Sequence, residues 1–226
     1  MPSPAARTRP GWRQERALWR DGYDLVAGVD EVGRGPLAGP VVAGAVILPR
    51  RASGDPARRE WISALRDSKM LTELQRDRLA LQIQKHALAW AVAGVSAQVV
   101  DQINILQATR LAMCRAVQAL PAAPDALIID GRERIDSHLR QVAVIDGDAL
   151  CVSVAAASIL AKVARDRIMG ELDARFPGYG LAMNKGYATQ EHREALGRLG
   201  YTNIHRLSFA PVRLVVGMPM VGARAV

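Results

Sequence analysis

Cysteine, aromatic residues and long apolar runs are all scarce in this chain, and each scarcity excludes something. Only two cysteines occur among 226 residues. Cys114 and Cys151 lie in apolar surroundings and form no CxxC or Cys/His cluster, so neither a disulfide scaffold nor a zinc site is expected, and a reducing cytoplasmic setting fits. Aromatic residues make up 4% of the chain, too few for a barrel of base-stacking rings. The longest uncharged apolar stretch, Ala38 to Leu48, is broken by Gly39, Pro40 and Gly44 and falls short of the ~18 residues a membrane span requires. Met1 to Arg20 is basic and carries Pro and Arg where a signal peptide would need an apolar stretch. Residues 1–22 are therefore expected to be a flexible basic tail.

What is present describes a globular protein. Half of the residues are apolar and 23% are charged, which excludes a disordered chain and allows a real core. At about 150 residues per domain, the length corresponds to about 1.5 domains, and no linker or internal repeat divides the chain. Thirty Lys and Arg against 22 Asp and Glu leave +8, with a pI near 10.2. A basic surface favours a polyanionic partner, nucleic acid first, because clustered cations release the counterions condensed on a phosphate backbone.

Hydrophobic patterning yields five strands, at Leu25–Val29, Val41–Leu48, Leu88–Val95, Ala126–Ile129 and Val142–Ile145. Between the first two lies the Gly/Pro-dense loop 33–40. Helices are expected over Thr72–Lys85, over Val99–Leu120 and from a Ser153 cap to about Arg175, where Pro177-Gly178 stops the run. Thr189 is placed to cap a shorter helix ending at Gly197 or Gly200. Arg50–Arg59 reads as a polar loop and residues 211–226 as a C-terminal tail, leaving 23–210 as one domain. This order argues for a mixed sheet with helices on both faces.

Acids recur where the strands end. Asp30 and Glu31 follow the first strand, Asp130 closes the fourth, and Asp146 and Asp148 follow the fifth. A single Asp-Gly also fits a turn, but acids gathered on one sheet edge form a ligand crevice. Because successive strand residues point to opposite faces, Asp30 and Glu31 can share a site only if the backbone bends after Asp30 or Glu31 contributes through its carbonyl. Oxygen ligands without histidine or thiolate suit Mg²⁺ or Mn²⁺, and a pair of such ions drives in-line phosphodiester cleavage.

Lys69, preceded by Ser68, is a candidate phosphate clamp. Lys162 stands one helical turn before Asp166, so an ion pair competes with a catalytic role. Asn104 and Thr109 either touch nucleic acid or only cap and pack. Of the four histidines, His86 and His138 read as surface residues, His192 as a contact to substrate or to a capping carbonyl, and His205 as ordering the C-terminal region.

The string Asp30-Glu31-Val32-Gly33-Arg34-Gly35-Pro36-Leu37-Ala38-Gly39-Pro40 resembles the signature of the type 2 ribonucleases H, ribonuclease HII. In the family's order there follow Asp67-Ser68-Lys69, Asn104-Ile105-Leu106-Gln107-Ala108-Thr109, Asp130-Gly131, Ala156-Ala157-Ser158-Ile159-Leu160-Ala161-Lys162 with Arg165-Asp166, Lys185-Gly186-Tyr187 and His205-Arg206-Leu207-Ser208-Phe209. The resemblance spans roughly residues 23–210 and implies an α/β, ribonuclease H-like fold: a mixed five-stranded sheet flanked by helices, with a helical C-terminal segment. It implies an endonuclease, here expected to be monomeric, that cuts the RNA strand of RNA–DNA hybrids and incises duplex DNA 5′ to an embedded ribonucleotide. The metal-binding and catalytic carboxylates map onto Asp30, Glu31, Asp130 and one of the Asp146/Asp148 pair, with Asp148 preferred by its spacing to the Ala-Ala-Ser-Ile segment. Two ions, Mg²⁺ or Mn²⁺, would leave 3′-hydroxyl and 5′-phosphate ends. Reading of the 2′-hydroxyl maps onto Gly33, Arg34, Gly35 and Tyr187. A DNA-cutting nuclease of the integrase or junction-resolvase kind would gather similar acids but has no use for a 2′-hydroxyl reader, and a hybrid-binding module without catalysis would not need all four.

Overall fold

The computed structural model describes residues 9–50 and 56–215. The apolar runs become five strands of one sheet, β1 (Val26–Val32), β2 (Val41–Ile47), β3 (Ala89–Val95), β4 (Ala126–Asp130) and β5 (Arg140–Val144). Their order is β3-β2-β1-β4-β5, antiparallel from β3 to β1 and parallel from β1 to β5. The mixed five-stranded sheet is the one expected. Its parallel half sends the carboxyl ends of β1, β4 and β5 to a common edge, where ligands of open α/β sheets bind.

The helices among the described residues are α1 (Arg13–Arg20), α2 (Pro56–Ala64), α3 (Glu73–His86), α4 (Ala97–Gln118), α5 (Gly147–Leu150), α6 (Val152–Arg175), α7 (Leu181–Asn184), α8 (Gln190–Leu199) and α9 (Ala210–Arg213). On one face, Ala27 and Val29 of β1 pack with Val100, Ala108, Ala112 and Ala116 of α4. On the other, Val46 of β2 packs with Leu79 and Ile83 of α3 and with Ala156 and Ile159 of α6. Cover on both faces explains why all seven residues of β2 are buried and why the strand reads as a continuous apolar run.

Close approach of α6 sets the position of the site. Gly28 and Gly44 face this helix, and a Cβ at either would collide with the backbone of Ser153 or Ala157. The Ala155-Ala156-Ala157 run opposite is equally small and wholly buried. With neither surface carrying bulk, α6 lies directly on β1 and β2, close enough for the Ser158 hydroxyl to favour the charged form of Asp30.

Several boundaries differ from the sequence expectations. The proposed basic tail is not loose over 13–20: α1 buries Glu15, Leu18 and Trp19, and Leu18 and Trp19 pack with Val26 of β1 and Ile128 of β4. Residues 1–8 lie outside the described part. Ser153 does not cap α6, because Cys151 occupies that position and Ser153 lies inside the helix, its amide and hydroxyl donating to Glu15 Oε1 at 2.9 and 2.7 Å. Of the polar loop expected at 50–59, residues 51–55 are outside the described part and Pro56–Arg59 open α2, proline suiting a first turn whose amides have no helical partner. The domain also runs past 210: Val212 and Val215 are buried in a cluster with Leu37, Met169 and Leu196, while 216–226 lie outside the described part. Asn104 interrupts α4 with φ 65°, and its carboxamide oxygen caps the segment that follows, accepting from Leu106 and Gln107 at 3.0 and 3.1 Å. Thr189 caps α8 as expected.

Candidate active site

Asp30 lies on the α6 side of β1, in line with Gly28, and is 4% exposed. Asp130 is the last residue of β4, beyond the final β1–β4 pair, Val29 with Ile129. Each of Asp30, Glu31 and Asp130 places a carboxylate oxygen within 4.8 Å of the other two. Of the two routes by which Glu31 could share the site, a bend after Asp30 is not taken, since β1 stays paired with β2 through Glu31–Ala43 and Val32–Val42, and it is the Glu31 carboxylate, not its carbonyl, that lies with the other acids. Glu31 lies two residues past the last β1 residue paired with β4, so no β4 residue stands opposite it there.

The fourth acid comes from α5. Asp130 Oδ1 accepts the Gly147 amide at 2.7 Å, seating the first turn of α5 against β4. Asp148 in that turn is buried; its charge acts on Asp30, and the charge of Asp130 acts on it. Asp146 is exposed, takes a left-handed conformation (φ 55°) and caps α5. Of the two candidates, Asp148 is therefore the one buried beside the cluster.

All four carboxyls are held above the usual carboxylate range. For Asp30 the cause is burial first, then the charges of Glu31 and Asp130, which together push it up strongly. Burial also raises Glu31, opposed by Arg34, whose guanidinium lies 3.3 Å from Oε1. Asp130 is raised by burial against the Gly147 amide, and Asp148 by burial and then by Asp67 and Asp130. The Lys69 ammonium reaches to 3.7 Å from Asp148 Oδ2. Burial, the largest influence on Lys69, lowers its pKa, but Asp148, Asp67, Asp30 and Asp130 together hold it above the ordinary lysine value. One lysine and one exposed arginine do not balance four acids. The surplus negative charge, the burial and the all-oxygen donor set fit a hard divalent cation.

Ser68 departs from its expected role. Its hydroxyl is turned inward and buried, 3.0 Å from Ser158 Oγ, and the Ser158 hydroxyl in turn favours the charged form of Asp30. Ser68 thus braces the acids from beneath, and of the Ser68-Lys69 pair only the lysine, 80% exposed at its side chain, is free to meet a phosphate. Lys162 makes the ion pair, 2.7 Å from Asp166, which also lies 3.7 Å from Arg76. The Thr109 hydroxyl returns to the Ile105 carbonyl at 2.8 Å within α4.

Loop 33–40 runs beside the acids. Arg34 and Gly35 are exposed, and the ring of Tyr187, itself 43% exposed, would lie 3.8 Å from a Cβ on Gly35. Gly33 has a different reason to be glycine: its φ is +91° and the space of its missing Cβ is filled by the Arg165 side chain.

Tyr187 rests on a buried histidine pair that residue spacing did not reveal. His192 Nδ1 lies 2.9 Å from the Tyr187 carbonyl, the Nε2 atoms of His192 and His205 are 3.2 Å apart, and His205 Nδ1 meets the Thr202 amide and hydroxyl at 3.1 and 2.9 Å. One proton arrangement satisfies every contact: Thr202 donates to His205 Nδ1, His205 Nε2–H to His192 Nε2, and His192 Nδ1–H to the carbonyl. Burial, and then the His192 neighbour, lower His205 to about 4. His86 stacks on Trp61 and His138 is exposed.

The family model for ribonuclease HII matches residues 27–212. The chain belongs to the ribonuclease HII family. It is similar to ribonuclease HII of Dehalococcoides mccartyi (strain ATCC BAA-2266 / KCTC 15142 / 195), with 48% identity over 204 residues covering 90% of this chain and 94% of the relative. It is 53% identical over 195 residues to ribonuclease HII of Moorella thermoacetica, covering 86% and 91%. The crystal structure of ribonuclease H2 from Pyrococcus horikoshii OT3 superposes with a TM-score of 0.68 at 26% identity, covering 84% of this chain and 96% of that one. Ribonuclease HII enzymes are nucleases that cleave RNA paired with DNA. The matched segment takes in the sheet from the second residue of β1 onward, the helices α2 to α8 and the acid edge, while α1 lies before it.

Proposed function

We propose that this protein is an endoribonuclease that hydrolyses the RNA strand of RNA–DNA hybrids, incises duplex DNA 5′ to embedded ribonucleotides, and leaves 3′-hydroxyl and 5′-phosphate ends. The observation that carries the reading is the convergence of Asp30, Glu31 and Asp130 within 4.8 Å at the carboxyl edge of the sheet. Asp148 completes the acid set. These carboxylates would hold two Mg²⁺ or Mn²⁺ ions, which when bound supply Lewis-acid activation of water and charge stabilisation at the departing 3′ oxygen.

The chain's own groups have separable tasks. Asp30 and Asp130 each accept a backbone amide at 2.7 Å, from Glu31 and Gly147, so their oxygens need little rearrangement to bind a cation. Lys69 is placed to meet a phosphate oxygen flanking the cut. The backbone of Gly33, Arg34 and Gly35, with the Tyr187 hydroxyl, is placed to touch the sugar, and only a group that touches the 2′-hydroxyl can tell RNA from DNA. All four acids belong to one chain, so the monomer is the proposed working unit, and two unpaired cysteines suit a reducing cytoplasm. Among the described residues no helix is long and apolar enough to cross a membrane.

The test uses three labelled duplexes: DNA with one ribonucleotide, an all-RNA hybrid, and plain DNA, each with and without Mg²⁺. Cleavage of the first two alone, requiring the ion and leaving 3′-hydroxyl ends, is expected. Cutting of plain DNA, or binding without cutting, would overturn the reading.

A further inference from the structure

Arg165 and Arg206 are the largest wholly buried side chains, both 0% exposed, and among the described residues neither has a carboxylate in contact. Burial and, for Arg206, the nearby charge of Arg165 lower the pKa of both, Arg206 to about 9. An unpaired buried guanidinium is expensive unless its donors are satisfied. Here they are satisfied by backbone carbonyls alone. Arg206 donates to Gly33 at 2.6 Å, to Arg34 at 2.9 Å, and to Gly39 at 2.9 and 3.2 Å. Arg165 donates to Pro40 at 3.0 Å, to Ala38 at 3.2 Å, and to Lys185 at 2.9 Å. Five of the six carbonyls belong to loop 33–40, and the sixth lies two residues before Tyr187.

Peptide geometry converts these bonds into a surface. No peptide bond among the described residues is cis, and in a trans peptide the carbonyl and the following N–H point in opposite directions. Holding the Gly33 carbonyl inward turns the Arg34 N–H outward, and holding the Arg34 carbonyl inward turns the Gly35 N–H outward. Neither amide finds an acceptor among the described residues. Both residues are exposed, and the Arg34 side chain lies 3.3 Å from Glu31, so the freed donors stand next to the acids.

We infer that Arg165 and Arg206 are positioning residues for sugar recognition: by capturing carbonyls from beneath, they orient two backbone N–H donors of loop 33–40 toward the substrate and tie that loop to Tyr187. The inference rests on the function proposed above. Neither arginine touches substrate, and each acts through the main chain.

The test compares wild type, Arg206→Met and Arg206→Lys, at a temperature where each is folded, by amide exchange and by steady-state cleavage of DNA holding one ribonucleotide. In Arg206→Met, exchange within 33–40 should accelerate while β1 and β4 stay protected. Its kcat per folded molecule should fall roughly 10- to 100-fold with KM within about threefold, because misplacement costs turnover whereas phosphate contacts keep the affinity. Arg206→Lys, which keeps the charge and some donors, should lie between. Unchanged exchange in 33–40, or an unchanged kcat per folded molecule, overturns the inference. Should Arg206→Met not fold, the same two readouts on Arg206→Lys decide it. If wild type cuts no ribonucleotide, the proposed function fails, while exchange of the loop still decides whether Arg206 holds it.

Discussion

At the carboxyl edge of the sheet, Asp30, Glu31 and Asp130 crowd like charges with too few cations to match them, whereas beneath loop 33–40 Arg165 and Arg206 bury like charges with no acid in contact among the described residues. The two regions share β1 and its continuation, and both remove charge from water, yet they are completed differently. The arginines find their partners within the chain, in six carbonyls. Backbone amides of Glu31 and Gly147 support Asp30 and Asp130 without neutralising them, so the acids remain open to a cation from outside. A buried charge saturated by the fold holds geometry, and one left unsaturated binds something.

Neutralising one member of each region separates them most sharply. Asp130→Asn keeps the Oδ1 acceptor for Gly147 but removes a metal-binding charge, and the several kcal/mol such a contact supplies correspond to roughly 10²–10³-fold in turnover. The thermal midpoint in chelator should hold or rise, because repulsion within the cluster is relieved. Retained cleavage would break the comparison. Arg165→Met should do the reverse to stability, leaving the Pro40, Ala38 and Lys185 carbonyls without their donor and costing about 3 kcal/mol or more in urea unfolding.

Gly44→Ala tests what the two regions share, since α6 carries both Ser158 and Arg165. A Cβ driven into the Ala157 backbone should cost about 2–3 kcal/mol of stability and lower turnover with it, measured by unfolding and cleavage of the same preparation.

The histidine pair under Tyr187 adds a pH dependence. An unfolded histidine titrates near 6.5 whereas His205 in the fold titrates at about 4, so on acidification the unfolded chain takes up the proton first. Stability from this source is complete above about pH 6.5 and declines toward pH 4, by about 2 kcal/mol near pH 5. The site carboxyls and Glu15, raised in the fold, work in the opposite direction. The quantity to measure is therefore the difference in urea midpoint between wild type and His205→Asn, which should shrink as pH falls; a constant difference would remove the histidine from the account. The smallest effect belongs to the exposed Arg167–Glu171 pair on α6, where Arg167→Ala should change stability by less than about 0.5 kcal/mol.

Features written in consecutive residues were legible without the fold. Asp30 closes the buried part of β1, which runs on to Val32, Asp130 closes β4 and the Thr189 cap precedes its helix, so local patterning found each of them. Choosing Asp148 over Asp146 already leaned on spacing to a later segment, and burial supports it. Ser68 misled because a hydroxyl beside a lysine suggests phosphate, while its actual partner, Ser158, lies 90 residues away. Ser153 misled in the same manner: it looks like a cap until Glu15, 138 residues earlier, takes both its donors. His192 was legible as a contact to a carbonyl and His205 as ordering the C-terminal region, but neither their pairing with each other nor the arginines' carbonyl partners could be read, because those partners come from other elements and carbonyls carry no mark in a sequence.

The amino-acid order by itself determined the five strands, the helices α3, α4, α6 and α8, and the placing of acids at or just beyond the buried runs of β1, β4 and β5, since hydrophobic period and turn chemistry act between near neighbours. Only the tertiary structure decided that those acids meet, that Glu31 reaches them without a backbone bend, and that two guanidiniums hold a loop's carbonyls inward. Those outcomes depend on which surfaces lie against each other, and here that was set by the bare glycine–alanine contact between α6 and the sheet.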